Sequence, residues 1–368
     1  MSRQVDVVDD DAPEIVAWDV AARVARQALR LSPAPPLSPA EAASLRDDFA
    51  DATARAELLV AEATGLVPLS GPGHALVTDR AGWVEANVSS FRRLLAPVAR
   101  RVAATPRGRR ALNPFSRAAA GAEVGLLLAW MSGRVLGQYD LLPVDEAGAD
   151  AVYFVGPNIR ELERRHGFPA AEFRLWIALH EVTHRLQFTG VPWMRDYFLG
   201  LVERSADLRA PDVAALLDSL RRAATEVRAG RNPLEEGGIV ALIAGEEQLA
   251  TLREIQALMS LLEGHGDVVM SSAGRGEVPG AERFAALLRQ RRAEVGPVAR
   301  VLRQLLGIES KMRQYAQGER FVEAVLAAGG PPLLLRAWES PAMLPSIEEI
   351  RTPERWVQRA GGRAEASA

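Results

Sequence analysis

Two histidines and a glutamate, in His180-Glu181-Val182-Thr183-His184, have the residue types and the spacing of a metal site. They lie in a stretch whose apolar pattern predicts one long helix. Histidines four residues apart share one helical face, one turn apart, so both imidazoles can reach a single metal ion. Glu181 projects beside them, where its carboxylate can take a proton from water on that metal. The spacing therefore predicts a metal site that carries out hydrolysis.

The surroundings of this motif favour a metal over a surface helix that carries two histidines by chance. With five histidines in the chain, and all 47 acidic residues counted as glutamate, residue frequencies give roughly 0.01 chance matches. Residues 171–188 are apolar on most sides of the predicted helix, which indicates burial. Two histidines and a carboxylate are costly to bury without partners, and a metal ion would supply one. The pattern is typical of zinc peptidases, so Zn²⁺ is the expected cofactor.

A third zinc ligand is expected far downstream, because a catalytic zinc has three protein ligands and one open position. The chain has no cysteine, so this ligand is a histidine, an aspartate or a glutamate. Glu263 closes a predicted helix over about 246–262. Asp267, four residues later, could accept the N–H of a ligand histidine from outside the ligand set. This spacing resembles the arrangement of the gluzincins.

His265 is the rival third ligand, and it would give a site with three histidines. We favour Glu263, which leaves His265 to donate a hydrogen bond to a developing oxyanion. The simpler alternative is that His265 is only a polar residue near a helix C-terminus, because Gly264 and Gly266 are expected to weaken the helix there. Two tyrosines, Tyr315 and Tyr153, are further candidate oxyanion donors.

The other polar residues near the motif and the other histidines have structural interpretations. Arg185 and Gln187, on the same predicted helix, are expected to tie neighbouring segments together. His74 follows Ser-Gly-Pro and Gly, which predicts a turn and a surface position. His166 precedes Gly167 and reads as a helix end.

Composition excludes several classes of function. The formal net charge is −3 with mixed signs along the chain, so no nucleic-acid partner is expected. Without cysteine there are no disulfides and no thiolate metal sites. No secretory signal is visible at the N-terminus, and the longest apolar run, Val124 to Met131, is too short to cross a bilayer. We therefore expect a cytoplasmic protein with no membrane partner; its oligomeric state is left open.

The predicted fold is mainly α, a large helical unit with a small β-hairpin or sheet next to the His180 helix. The only convincing strands, 134–143 and 151–159, flank an acidic turn and could pair as that hairpin. The predicted organisation is an acidic segment at 1–13, one unit at 14–360 and a disordered tail at 361–368. That unit divides into an N-terminal helical part and a catalytic part, at 14–133 and 134–360.

Two segments are expected to act on the substrate. Val152 to Val155 is the candidate edge strand for pairing with an extended peptide, with a small scaffold hairpin as the equal alternative. Ser271 to Gly280, rich in glycine and serine, is the candidate mobile flap.

Six segments of the chain together resemble one known family. They are Gly121–Leu127, Val135–Asp140, Phe154–Ile159, His180–Phe188, Leu262–Met270 and Lys311–Gly318. The series is similar to a zincin-like metallopeptidase family of actinobacteria, sometimes labelled as associated with biosynthesis of a deazaflavin coenzyme. The resemblance spans roughly residues 14 to 360. It implies a mostly helical fold with a zincin-type core and His180 and His184 as metal ligands.

The expected function is hydrolysis of a peptide or amide bond, with zinc on His180, His184 and Glu263 and with Glu181 as general base. Two alternatives stay open. One is a catalytically silent zinc-bearing protein with an interaction or regulatory role. The other is an amidase that acts on a small molecule, which the chemistry of the site does not distinguish from a peptidase.

Overall fold

The structure is a computed structural model that describes residues 13–142, 150–205, 246–293 and 308–365. Within these ranges the protein is mainly α-helical with one small sheet, which confirms the predicted fold class. The helices are α1 (Trp18–Leu31), α2 (Pro39–Thr64), α3 (Arg80–Ala104), α4 (Pro106–Ala111), α5 (Pro114–Ser132), α6 (Gly156–His166), α7 (Ala170–Thr189), α8 (Met194–Ser205), α9 (Glu246–Ala273), α10 (Ala281–Ala293), α11 (Ile308–Leu335), α12 (Ile347–Arg351) and α13 (Pro353–Glu365). The strands are β1 (His74–Thr78), β2 (Gly137–Tyr139) and β3 (Ala151–Val155).

Two compact units make up the chain. The first comprises Met1–Leu58 and Pro68–Arg185, and the second comprises Leu59–Val67 and Leu186–Ala368. The sheet belongs to the first unit, and helices α8 to α13 belong to the second.

The three strands lie in the order β1-β3-β2, with β1 parallel and β2 antiparallel to β3. The predicted hairpin of β2 and β3 is confirmed. The prediction that Val152 to Val155 form an edge strand is wrong, because β1 covers the other side of β3. His74, expected in a turn, is instead the exposed first residue of β1. Every residue of β3 is buried, as is typical of a strand covered on both faces.

Close packing of two helices in the first unit explains the glycines at positions 121 and 125. Helices α1 and α5 cross where Gly121 and Gly125 face the backbone carbonyls of Ala17 and Ala21. A Cβ atom at either glycine would collide with the carbonyl oxygen opposite. The glycine pair is therefore a helix-packing motif, and it allows Leu128 to pack with Trp83 and strand β3 in the core.

The helix that carries the two histidines is held by apolar packing and by buried charge. Its side chains Phe173, Ile177, Leu179, Val182 and Leu186 are buried, which confirms the expected burial. Arg174 donates from Nε and Nη2 to the two oxygens of the buried Glu163 on α6, at 2.7 and 3.0 Å. A bidentate pair of this kind fixes the orientation of both side chains.

In the second unit, helix α9 continues through the segment that was expected to break it. Gly264 packs against the backbone of Gly318 on α11, and Gly318 packs against the carbonyl of Ser260 on α9. The two glycines are required by this close crossing and do not end the helix. Helix α9 ends at Ala273, so the first three residues of the predicted flap at 271–280 are helical.

The ends of the chain are described in part. Helix α13 continues to Glu365, well into the stretch predicted as a disordered tail. The acidic N-terminal segment lies outside the described residues except for Pro13. Among the described residues, no helix is both long and apolar enough to cross a membrane.

Candidate metal centre

His180 and His184 lie one turn apart on α7 and are both half-buried. Their Nε2 atoms are 3.2 Å apart, and their rings meet edge to face with centroids 4.6 Å apart. Two nitrogens bound at zinc distances in tetrahedral geometry are about 3.3 Å apart. The two imidazoles therefore already have the separation that a shared zinc ion requires.

Glu263 completes a group of three side chains that could hold a metal. One ligand atom from each of His180, His184 and Glu263 lies within 4.8 Å of the other two, and all three residues are half-buried. Two imidazoles and one carboxylate are the ligand set of many catalytic zinc sites, which keep one coordination position open. The residues present therefore fit the ion that the sequence predicts.

Glu181 is 8% exposed and contacts strand β2. Its Oε2 accepts a hydrogen bond from the backbone N–H of Tyr139 at 3.2 Å. A Cβ atom built on Gly137 would lie 2.5 Å from Cγ of Glu181 and 2.8 Å from its Oε1. The sequence reasoning did not select Gly137 or Tyr139. A glycine inside a short strand was the available signal, because it often marks a close approach.

His265 is buried, 2% exposed, and is not part of the metal group in the described residues. Nε2 of Gln187 lies 2.9 Å from its Nδ1 and also donates to the carbonyl of Leu262 at 2.9 Å. Since that carbonyl can only accept, the Gln187 amide presents its NH₂ group and Nδ1 of His265 is the acceptor. The ring, which also contacts Trp338, therefore carries its proton on Nε2 when neutral.

The remaining predicted site residues differ in how far the structure describes them. Asp267 is half-buried on α9. Tyr315 is on α11, but its side chain lies outside the described part of the structure. Tyr153 is buried in the core of the first unit with Trp83 and Leu128. Roles for Asp267, His265 and Tyr315 in the reaction stay predictions.

Arg185, next to His184, is fully buried and links several segments of the first unit. Its guanidinium contacts Glu57 of α2 at 2.6 Å, the carbonyl of Gly71 at 2.5 Å and Asp150 at 3.5 Å. Asp150, before β3, also accepts from the hydroxyl of Tyr139 at 3.4 Å. The expectation that Arg185 and Gln187 tie neighbouring segments together is confirmed by these contacts and by those of Gln187.

Comparisons with known proteins identify the family of the chain. A family model described as "Zincin-like metallopeptidase" matches residues 16–357. A crystal structure from Chloroflexus aurantiacus, described as "a putative hydrolase with a novel fold", is 32% identical with a TM-score of 0.69. The match covers 94% of this chain and 98% of that one. The search of curated proteins gave no match. These similarities support a hydrolase, and the chain belongs to the zincin-like metallopeptidase family.

Proposed function

We propose that the protein is a zinc-dependent peptidase in which His180, His184 and Glu263 hold the ion and Glu181 is the general base. The observation that carries this proposal is the group of three ligand atoms within 4.8 Å, with the two imidazole nitrogens 3.2 Å apart. Glu181 supports an active site over a structural one, because a purely structural zinc needs no adjacent base. The family and the Chloroflexus aurantiacus relative support hydrolysis.

The residues of the chain have distinct tasks in this proposal. Bound zinc supplies Lewis-acid chemistry, which acidifies water and polarises a carbonyl group. Glu181 takes the proton of the attacking water and later passes it to the leaving nitrogen.

Three further residues have supporting roles in the proposal. His265, which carries its proton on Nε2, is the proposed donor to the oxyanion, with Tyr315 as the second candidate. Asp267 is the proposed acceptor for the N–H of a ligand histidine, which would fix that ring's tautomer.

An extended peptide is the proposed substrate, and it would pair with β2. Val155 donates to the carbonyl of Leu136, and Asp140 donates to the carbonyl of Ala151. In an antiparallel ladder the intervening residues alternate, so the amide and carbonyl of Gly137 turn away from β3. We therefore propose that a substrate pairs with the edge of β2 that faces away from β3 in the described residues, in the role that the sequence suggested for β3.

Metal content and turnover test the proposal together. We expect about one zinc per chain in the wild type and in Glu181→Gln, and a large loss in Glu263→Ala. His265→Ala is the matched control, since it changes a buried residue two positions away and should retain the ion. Loss of zinc in His265→Ala but not in Glu263→Ala would reassign the third ligand.

Activity is measured with a library of internally quenched peptides and zinc-loaded protein. The wild type should cleave a subset of the library, and Glu181→Gln should lose most of that turnover, about 10²- to 10⁴-fold. Equal turnover in the two proteins would refute the role of Glu181. A zinc-loaded wild type that cleaves no peptide would refute the peptidase proposal and favour a small-molecule amidase or a silent binding protein.

A further inference from the structure

Strand β2 holds the carboxylate of Glu181, and we infer that Gly137 and Tyr139 are positioning residues for proton transfer by Glu181. The catalytic meaning of this inference rests on the proposed function. The contact between strand β2 and the Glu181 carboxylate does not depend on the proposed function, and it can be measured without a substrate.

Gly137 contributes by having no side chain. The Cβ atom of any other residue would lie 2.5 Å from Cγ, 2.9 Å from Cδ and 2.8 Å from Oε1 of Glu181. Real Cβ atoms essentially never come closer than 3.0 Å to a non-bonded heavy atom, so a substitution at Gly137 must shift the Glu181 side chain or strand β2 and change their contact. The backbone of β2 is thus one wall of the space in which the base operates.

Tyr139 contributes its backbone amide. Residues 137 and 139 alternate with the ladder-bonded residues of β2, so the Tyr139 N–H is directed away from β3 and reaches Oε2 of Glu181 at 3.2 Å. A hydrogen bond with an ionised acceptor is stronger than a neutral one. The carboxylate is therefore fixed by a contact on Oε2 and by packing at Oε1.

The same strand is tied to the helix that carries Glu181 through one buried carboxylate. Asp150, 4% exposed, accepts from the hydroxyl of Tyr139 and pairs with Arg185 on α7. Ser70 also donates to Asp150. Strand β2 and helix α7 both contact Asp150, through Tyr139 and Arg185. This shared partner, together with the direct hydrogen bond, restrains the distance between the Tyr139 amide and Glu181.

Hydrogen exchange of backbone amides, measured on the zinc-loaded full chain at residue resolution, tests the contact without a substrate. In Glu181→Ala and Gly137→Ala, the Tyr139 amide should exchange about 10- to 100-fold faster than in the wild type. The ladder amides of Asp140 and Val155 are internal controls and should keep their rates. Equally faster exchange at all three amides would show that the strand itself has opened, and it would overturn the assignment of a contact specific to the Tyr139 amide. An unchanged Tyr139 rate in Glu181→Ala would overturn the assigned contact.

Turnover of a peptide selected from the library tests the consequence for catalysis. A displacement of about 1 Å can cost on the order of 10²-fold in rate, so Gly137→Ala should lower kcat by about that factor, with KM and zinc content little changed. Gly133→Ala is the matched control, because its Cβ would make only ordinary contacts of 3.8 Å and longer. Wild-type kcat in Gly137→Ala would overturn the positioning role.

A double variant separates positioning from general damage to the fold. If Gly137 acts through Glu181, adding Gly137→Ala to Glu181→Gln should lower the residual kcat less than threefold, because the proton transfer that Gly137 positions is already lost in Glu181→Gln. A further loss as large as that in the wild-type background would overturn the inference. If the wild type cleaves no peptide, the proposed function fails, and the exchange experiment still decides whether β2 holds Glu181.

Discussion

Replacement of Arg185 by methionine should destabilise the protein strongly, because its guanidinium is fully buried between two carboxylates. The side chain of Arg185 is 0% exposed and pairs with Glu57 at 2.6 Å and with Asp150 at 3.5 Å. Methionine has a similar length and is apolar, so it leaves both carboxylates without their cation. Removal of one partner of a buried pair typically costs 3–5 kcal/mol.

Other donors reduce this cost for Arg185→Met. Glu57 keeps the amide of Gly73 at 2.6 Å, and Asp150 keeps the hydroxyls of Ser70 and Tyr139. We therefore expect a decrease of about 3 kcal/mol in the free energy of unfolding, at the lower end of that range. The free energy of unfolding of Arg185→Lys should lie between those of the wild type and Arg185→Met, because lysine retains the charge but loses the planar guanidinium.

Chemical denaturation of zinc-free protein at neutral pH is the assay, so that metal binding does not contribute. Arg23→Met is the matched control: Arg23 pairs with Asp19, and both side chains are 71% exposed, so the change should cost less than about 1 kcal/mol. A double-mutant cycle with Glu57→Gln should be less than additive, because the two residues share one interaction. Equal stability of Arg185→Met and Arg23→Met would refute the reasoning.

Two further predictions concern stability. Gly264→Ala should lower the free energy of unfolding, measured by urea denaturation, by about 1–3 kcal/mol or more, because its Cβ would collide with the backbone of Gly318. Gly361→Ala is the control and should leave the free energy of unfolding little changed, since its Cβ would meet nothing within 4 Å. Hydrogen bonds from the backbone and hydroxyl of Ser38 lower the pKa of Glu41 from 4.5 to about 2. Its stabilising contribution is thus complete above pH 4.5 and is lost as the pH falls from about 4.5 to about 2. The stability difference between wild type and Glu41→Gln, followed by urea denaturation across this range, should shrink accordingly; a constant difference would contradict the assignment.

Local sequence patterns were sufficient to predict the helices that carry the candidate metal ligands. The i, i+4 spacing of His180 and His184 and the apolar residues around them predict a buried helix, because helical periodicity is a property of consecutive residues. Glu263 could be selected in the same way, from its place on a second apolar helix. The capping box at the start of α2, where Ser38 and Glu41 exchange hydrogen bonds, is likewise a local feature of four consecutive residues.

Non-local contacts account for what the sequence did not predict. The central position of β3 depends on β1, which pairs with it across more than seventy intervening residues and follows a segment that reads as a turn. Gly264 has poor helix propensity, and only the crossing with α11 shows why a helix continues through it. Gly137 acquires its role from Glu181, a residue on another element. In each case the deciding neighbour is distant in sequence.

The crossing of α9 and α11 has a genetic consequence for the segment that carries Glu263. A protein core can tolerate a larger residue on one side of a contact if the opposite residue becomes smaller, because the total volume is then kept. Here both facing positions, Gly264 and Gly318, are already occupied by the smallest residue. A substitution that enlarges either one therefore has no compensating change in size at the other. Suppressors of such a variant would have to arise elsewhere, through changes that move a helix backbone.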